Sequence, residues 1–351
     1  MTSRRLRCHD VGVSNLDRDP GLLLVEEDAP PARRIDVLTP RDVPLGGPRA
    51  MTVRRTLPQR ERSLIGAWCF VDHYGPDDVS LSGGMRVDGH PHTSLQTVTW
   101  MFEGEVEHRD TLGTVLTIRP GEVNLMTSGS GIAHSEYSTP STTRLHGAQL
   151  WIALPEDQRS GQRTFQNYAA PQVRIGDADV RVFLGDLADQ RSPVHTWTPT
   201  LGAEIVLPPH SRLELEVDPT FEHGVLVDAG PVWVDGELGE PAHLLYRAPL
   251  AAPLAFETRE SGARLLLIGG EPLGESIVMW WNFIGRSHEE IVSFRDDWQA
   301  EVARHAAATS AAIQTGDAEA FPTEGFGEFP STWTRVLPAP ELPSVRLRAR
   351  R

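Results

Sequence analysis

His90-Pro91-His92 and His134-Ser135-Glu136 are the two most informative segments of this 351-residue chain. In each segment, two side chains that can bind a metal ion flank a single residue. Residues two apart in a β-strand point to the same face of the sheet, so each pair can aim at one point. If two strands of one barrel carry the pairs, the sequence predicts a site of three histidines and one carboxylate: His90, His92, His134 and Glu136.

Short strand patterns broken by Gly and Pro fill the region between and around these pairs. They cover residues 95–102, 105–109, 115–118, 123–127 and 145–154. Turn signals such as Pro120-Gly121 separate them. Short strands at nearly regular spacing are typical of a sandwich or a small barrel, so we expect the site to lie inside an all-β domain.

The composition fits a globular protein with two ordinary domains. Hydrophobic residues make up 39% and charged residues 23% of the chain, and 31 Gly and 28 Pro suit a protein rich in turns. The formal net charge of -15 argues against nucleic acid or an anionic membrane as the main partner. Two cysteines and the lack of an apolar signal segment predict a reducing, cytoplasmic location. No apolar run approaches the roughly 18 residues that span a bilayer.

The chain divides into four predicted parts. Residues 1–48 form an N-terminal extension with one or two edge strands, and residues 49–160 form the metal-binding domain. Residues 175–300 form a second β-domain, and residues 301–351 form a tail that lies on the surface or reaches the first domain. The second domain has no H-x-H pair, and its histidines are isolated, so we expect it to hold no metal. They include His210, His223 and His243.

One short amphipathic helix is predicted near the end of the second domain. Ser287 and Glu290 have the spacing of a capping box, with the serine at the N-cap and the glutamate three residues later. Ile291, Phe294 and Trp298 follow at helical spacing. We expect this helix to pack on the side of a barrel.

Imidazole and carboxylate ligands suit Fe(II), Mn(II), Ni(II), Cu(II) and Zn(II). Four such ligands on one side of an octahedral ion leave two positions open for substrate, water or dioxygen. Gln96 has the same residue parity as His90 and His92, so we expect it to face the barrel interior and orient substrate or water. For His73 and His108, a structural role is favoured over a role beside the metal.

The residues around the histidines resemble the pirin family of the cupin superfamily. The resemblance covers roughly residues 50–300 and is densest in the first domain. It rests on His90-Pro91-His92, Pro120-Gly121-Glu122-Val123, Met126-Thr127-Ser128-Gly129, Gly131-Ile132-Ala133-His134-Ser135-Glu136 and Gly147-Ala148-Gln149-Leu150-Trp151, among other segments. Thr93-Ser94-Leu95-Gln96 departs from the Arg-Gly-Phe-Glu usual in pirins, which affects the choice of substrate more than metal binding.

The resemblance implies a bicupin, a monomer of two β-barrels with one mononuclear site, usually iron, in the N-terminal barrel. Carried over position by position, its ligands are the same His90, His92, His134 and Glu136. Some pirins resemble flavonol dioxygenases that cleave quercetin, whereas others regulate protein partners. We therefore expect an Fe(II) protein that oxidises a flavonol-like enol, with Glu136 as the base and Gln96 orienting substrate. The alternatives are a non-catalytic, metal-dependent regulator that binds protein partners, or another cupin reaction such as isomerisation.

Overall fold

A computed structural model describes residues 35–45, 51–315 and 325–350. Most of the predicted N-terminal extension therefore lies outside the described residues. Among the described residues, no helix is both long and apolar enough to cross a membrane. The fold is all-β with two cupin-like barrels, as the sequence predicts.

The first barrel is a sandwich of two sheets. Its strands are β2 (Arg41–Leu45), β3 (Met51–Leu57), β4 (Trp68–Asp78), β5 (Arg86–His92), β6 (Leu95–Glu103), β7 (Val106–Asp110), β8 (Val115–Ile118), β9 (Glu122–Thr127), β10 (Ile132–Ser138), β11 (Arg144–Ala153) and β12 (Thr164–Ala169), with one helical turn, α1 (Val79–Ser82). The larger sheet has the order β12-β9-β6-β11-β4-β3-β2, and the smaller has the order β5-β10-β7-β8. Both metal-competent pairs lie on neighbouring strands of the smaller sheet.

The second barrel repeats this arrangement of a seven-stranded and a four-stranded sheet. Its strands are β1 (Ile35–Leu38), β13 (Val173–Ile175), β14 (Ala178–Leu184), β15 (Asp186–Leu187), β16 (Gln190–Arg191), β17 (Thr200–Leu207), β18 (Arg212–Leu215), β19 (Glu222–Ala229), β20 (Val232–Val234), β21 (Glu237–Gly239), β22 (Leu244–Arg247), β23 (Leu254–Glu257) and β24 (Ala263–Gly270). The larger sheet has the order β1-β22-β19-β24-β17-β14-β13, and the smaller has the order β18-β23-β20-β21. Among the strands of the described residues, β15 and β16 pair only with each other.

The two barrels pack through the outer faces of their large sheets. One apolar cluster joins Val98, Trp100 and Leu150 of the first barrel to Phe183 and Ile268 of the second. The rings of Trp100 and Phe183 stack with their centroids 4.5 Å apart. The central strands of each large sheet are therefore covered on both faces, and β6, β11 and β24 are buried along most of their length.

Two edge strands come from the predicted extension, as expected. β2 borders the large sheet of the first barrel, whereas β1 pairs with β22 at the edge of the second barrel's large sheet. The short connection between β1 and β2 thus places two consecutive strands in different barrels. This connection covers an edge of each sheet that would otherwise expose unpaired backbone groups.

The predicted C-terminal helix is confirmed. α2 runs from His288 to Thr315 and so extends beyond the residues whose spacing predicts it. Its start was correctly predicted, because the Ser287 hydroxyl oxygen accepts a hydrogen bond from the Glu290 backbone N–H at 3.2 Å. The second half contains alanines such as Ala306, which have high helix propensity but show no apolar period. β25 (Val278–Trp280) and β26 (Phe283–Gly285) form a hairpin just before the helix.

β4 passes through a Gly-Pro dipeptide without turning. Gly75-Pro76 is a common turn signal, but the strand continues to Asp78. Pairing with β3 on one side and β11 on the other holds the backbone extended through this region. The continuation places His73 within the strand, at the boundary with the second barrel.

Candidate metal centre

Antiparallel pairing of β5 with β10 brings the histidines together. His134 lies directly opposite His90, and Ile132 lies opposite His92. Directly opposed residues share one face of a sheet, so His90, His92 and His134 all enter the barrel from the same side. The Nε2 atoms of His92 and His134 are 3.1 Å apart, and the ligand atoms of all three histidines lie within 4.8 Å of one another.

Glu136 enters the same cavity but approaches the cluster from the side of His108. It forms a second group with His108 and His134, whose possible ligand atoms also lie within 4.8 Å of one another. Its Oε1 is 3.4 Å from the Thr99 hydroxyl. Burial raises the pKa of the Glu136 carboxyl, while His108 and Thr99 act in the opposite direction. His134 is therefore the residue common to both groups.

His90 is oriented by the backbone of its own strand. Its Nδ1 lies 3.0 Å from the Asp88 carbonyl oxygen, which can only accept, so Nδ1 carries the proton and Nε2 keeps its lone pair. Burial lowers the pKa of His90 to about 4. Burial also lowers the pKa of His92 and of His134 well below the usual range, and the neighbouring histidines add to the effect. All three imidazoles are thus kept neutral, the form that binds metals.

A chain of hydrogen bonds fixes the tautomer of His134. Its Nδ1 lies 3.3 Å from Nδ1 of His108, and Nε2 of His108 lies 3.0 Å from Oδ2 of Asp110. Because the carboxylate can only accept, His108 protonates at Nε2, accepts at Nδ1 from His134, and leaves Nε2 of His134 free for a metal. A carboxylate that orients a ligating histidine is a recurrent feature of metal sites, and here a second histidine transmits the effect.

The donor set fits a divalent first-row metal ion. The hydrogen bonds leave Nε2 of His90 and of His134 with free lone pairs, Nε2 of His134 lies 3.1 Å from Nε2 of His92, and a carboxylate borders the same space. Nδ1 of His92 is buried without a hydrogen-bond partner in the described part of the chain. A divalent cation would bind the lone pairs of these neutral imidazoles.

The cluster opens into a cavity of about 670 Å³ between the two sheets. Apolar and aromatic side chains dominate its walls, with a few polar groups, as in many small-molecule sites. The apolar lining is Val43, Val53, Phe70, Tyr74, Met85, Val87, Trp151, Trp281, Leu337, Pro338, Ala339 and Pro340, and the other lining residues are Arg55, Asp72, His90, His92, His134, Glu136, Gln149 and Asn282.

Residues 337–340 belong to a C-terminal strap, residues 325–350, that crosses the first barrel. The Leu337 N–H donates to the Gly89 carbonyl at 2.7 Å, and the Trp333 indole N–H donates to the Ser135 hydroxyl at 2.9 Å. A Cβ at Gly89 would lie 2.7 Å from the Trp333 ring, so the absence of a side chain there lets the strap approach. The predicted tail thus reaches the first domain and supplies part of the cavity wall.

Gln96 does not face the cavity, so the predicted orientation is wrong. Its amide N–H donates to the Thr127 hydroxyl at 2.9 Å, and alternation along β6 places it on the side of Val98, toward the second barrel. The parity argument failed because the chain turns at Ser94, which has a φ of 58°, and the alternation restarts in β6. Thr97 and Thr99 face the interior instead.

A second buried cluster joins the two barrels. Oδ1 of Asp228 lies 2.7 Å from Nε2 of His73 and 2.6 Å from Nε2 of His146. Arg54 lies 3.2 Å from the other ring nitrogen of His73, and Arg264 donates to the second Asp228 oxygen at 2.6 Å. A guanidinium can only donate, so Nδ1 of His73 accepts and its Nε2 carries the proton. This arrangement satisfies a structural ion pair and leaves His73 no lone pair for a metal, in agreement with the structural role favoured for it.

Sequence reasoning missed Asp228 and Asp110, the carboxylates that hydrogen-bond to the buried histidines His73, His146 and His108. Asp228 is more than 80 residues from His146, so no local pattern joins them. His108 and Asp110, by contrast, form an H-x-D pair on one strand, a signal that parity could have placed beside the metal cluster.

Family models match both barrels of this chain. The Pirin model matches residues 50–152, and the Pirin C-terminal cupin domain matches residues 202–303. The chain belongs to the pirin family. A Pseudomonas aeruginosa relative, provisionally named quercetin 2,3-dioxygenase, is 43% identical over 268 residues, which is 76% of this chain and 84% of the relative. A Caulobacter vibrioides pirin-like protein is 32% identical over 71% of this chain and 88% of its own length.

Solved structures agree with this assignment of the pirin chain. A crystal structure named quercetin 2,3-dioxygenase, from Acinetobacter baumannii, matches with a TM-score of 0.78 and 34% identity over 90% of this chain and 97% of that one. A bacterial pirin from Escherichia coli in complex with nickel(II) matches with a TM-score of 0.54 and 21% identity over 68% of this chain and 100% of that one, and so shows the shared fold.

Proposed function

We propose that this pirin is a mononuclear Fe(II) protein that uses dioxygen to cleave the ring of a flavonol-like enol. One observation carries the proposal: three neutral imidazoles converge at the end of a mostly apolar cavity that also contains a carboxylate. The names of the relatives from Pseudomonas aeruginosa and Acinetobacter baumannii point to the same substrate class. Mn, Ni, Cu and Zn remain the alternative ions. The cytoplasmic, monomeric state and the four domain bounds given above are also part of the proposal.

In the proposed site, His90, His92 and His134 hold the metal, and Glu136 is the fourth ligand. The bound ion would supply a Lewis acid for the enolate oxygen and a redox partner for dioxygen. Glu136 accepts the proton of the enol hydroxyl because its carboxylate lies in the same cavity, with Oε1 3.4 Å from the Thr99 hydroxyl oxygen. The apolar walls and the strap reduce the contact of the reacting enolate with bulk water. Gln96 has no contact in this cavity that would support the role predicted for it.

The proposal is tested by flavonol oxidation. Protein loaded with Fe(II) without oxygen is mixed with quercetin, air is admitted, and the flavonol absorbance is followed. We expect a fall that the protein catalyses and that His92→Ala loses together with its metal. Metal-loaded protein that consumes no flavonol would exclude the dioxygenase. It would leave the metal-dependent regulator that binds protein partners as the better assignment.

A further inference from the structure

A row of polar side chains crosses the cavity wall from one end to the other. In the large sheet of the first barrel, Arg55 pairs with Asp72, Asp72 with Gln149, and Gln149 with Thr99. Directly opposed residues share a face, so all four project toward the interior. Strands lie ~4.8 Å apart, so three spacings separate the two ends of the row by about 14 Å. Thr99, at one end, contacts Glu136 of the metal cluster.

The hydrogen bonds within the row leave two donors unused. Arg55 donates from Nε and one NH2 group to the two Asp72 oxygens at 2.6 and 2.7 Å, and the Thr99 hydroxyl donates to the Gln149 carbonyl oxygen at 2.9 Å. Within the described residues, the other guanidinium NH2 group of Arg55 and the amide NH2 of Gln149 have no hydrogen-bond partner, and both residues line the cavity. Both carboxylate oxygens of Asp72 are occupied, so the wall offers donors at these two positions.

Apolar rows lie on both sides of the polar row. On one side, Trp151 pairs with Phe70, and their rings stack with centroids 4.0 Å apart at 11°. The Arg55 guanidinium lies 4.2 Å from the Phe70 ring centroid, which fixes its position. On the other side, Val53 pairs with Tyr74. A line of donors between apolar rows is complementary to a flat aromatic ring system that carries acceptor oxygens along its length.

We infer that Arg55 and Gln149 select planar aromatic substrates whose acceptor oxygens lie remote from the enol, with Arg55 as the specificity-determining residue at the far end. The inference rests on the proposed function for the position of the enol beside Glu136. Among the described residues that line the cavity, Arg55 is the one cationic side chain, so it favours phenolic, phenolate or carboxylate oxygens at that end.

The test compares binding of quercetin with binding of 3-hydroxyflavone, which keeps the enol and ketone but lacks the other ring hydroxyls. Binding to metal-loaded protein without oxygen is followed by tryptophan fluorescence. Hydrogen bonds to a charged group contribute roughly 1.5–3 kcal/mol, so we expect wild type to favour quercetin by about ten- to a hundredfold. The double variant Arg55→Met/Asp72→Asn, which leaves no buried carboxylate unpaired, should reduce this preference to about twofold or less.

Arg41→Met is the matched control. Arg41 pairs with Arg55 in the neighbouring strand but does not line the cavity, so its loss should keep the preference of wild type. Equal metal content in all variants confirms that the site has folded. A wild type without preference, or a double variant that keeps it, would overturn the inference. If the preference depends on Arg55 but no flavonol is consumed in air, the inference stands and the dioxygenase proposal fails.

Discussion

The two barrels of this pirin share an architecture but fill their interiors differently. Each pairs a seven-stranded with a four-stranded sheet. The second barrel is packed with aliphatic side chains such as Val180, Ile205, Val227 and Leu267, whereas the first opens a cavity lined by histidines and carboxylates. The alternation of strands and turns therefore specifies the barrel, and the inward-facing residue types decide whether it is a solid core or a site.

Buried polar groups must be paired, because an unsatisfied group costs a few kcal/mol. In the first barrel, the pairing extends outward from the site, from His134 through His108 to Asp110. In the second barrel, His223 is buried with neither ring nitrogen hydrogen-bonded in the described structure. A buried histidine without convergent partners is thus a different feature from a ligand, although both look alike in a sequence.

Replacement of one histidine in each barrel gives the largest expected contrast. His134→Ala removes the residue shared by both ligand groups, so purified protein should lose nearly all of its metal and its metal-dependent activity. His223→Ala should keep the metal content of wild type, measured by elemental analysis on folded protein. Equal metal content in wild type and His134→Ala would refute the assignment of the site.

The buried cluster around Asp228, which joins the two barrels, should affect the stability of the protein but not its metal content. Asp228→Ala leaves His73, His146 and Arg264 without their buried acceptor, and breaking a buried ion pair in this way costs about 3–5 kcal/mol. Chemical denaturation should show this loss. A variant as stable as wild type would mean that the cluster around Asp228 contributes little to the free energy of unfolding.

The cluster around Asp228 should also make the folding stability of the protein sensitive to acid. Burial would raise the pKa of Asp228, but hydrogen bonds from His146 and His73 hold it well below its ordinary value, and burial lowers the pKa of His73. Both groups bind fewer protons in the folded than in the unfolded state, so stability should fall as the pH drops below about 6.5 and further below about 4. Asp228→Asn should flatten this dependence in denaturation curves recorded from pH 7 downward.

A smaller effect on metal affinity is expected from Asp110, which acts on the ligand His134 through His108. Asp110→Asn keeps an oxygen for the Leu112 and Thr114 backbone N–H groups but can present an NH2 group to His108. The tautomer of His134 is then less well fixed, and metal affinity should fall by about 10–100-fold. Competition with a chelator measures the metal affinity. Asp218→Asn, at a similar turn in the second barrel, is the control. Equal losses of affinity in both variants would contradict the effect of Asp110 on His134 through His108.

Predictions from the sequence were most accurate where the physics is local. All five strand patterns predicted around the histidines correspond to strands in the structure (β6, β7, β8, β9 and β11), and the helix begins at the predicted Ser287 cap. The pairs His90/His92 and His134/Glu136 also lie inward, because each stays within one continuous strand. The predicted orientation of Gln96 was wrong because a turn separates it from His92, and the alternation of side chains is not maintained across a turn.

The sequence by itself determined the strand periodicity, the turns, the helix cap and the residue types able to bind a metal, because each depends on neighbours a few residues apart. Tertiary structure alone decided which strands pair, and therefore that His134 lies opposite His90. It also decided that Asp228 joins two histidines of the other barrel, and that the strap at Leu337 closes a cavity beside Arg55. Such contacts join residues far apart in the chain, and their energies depend on burial and register that no local pattern contains.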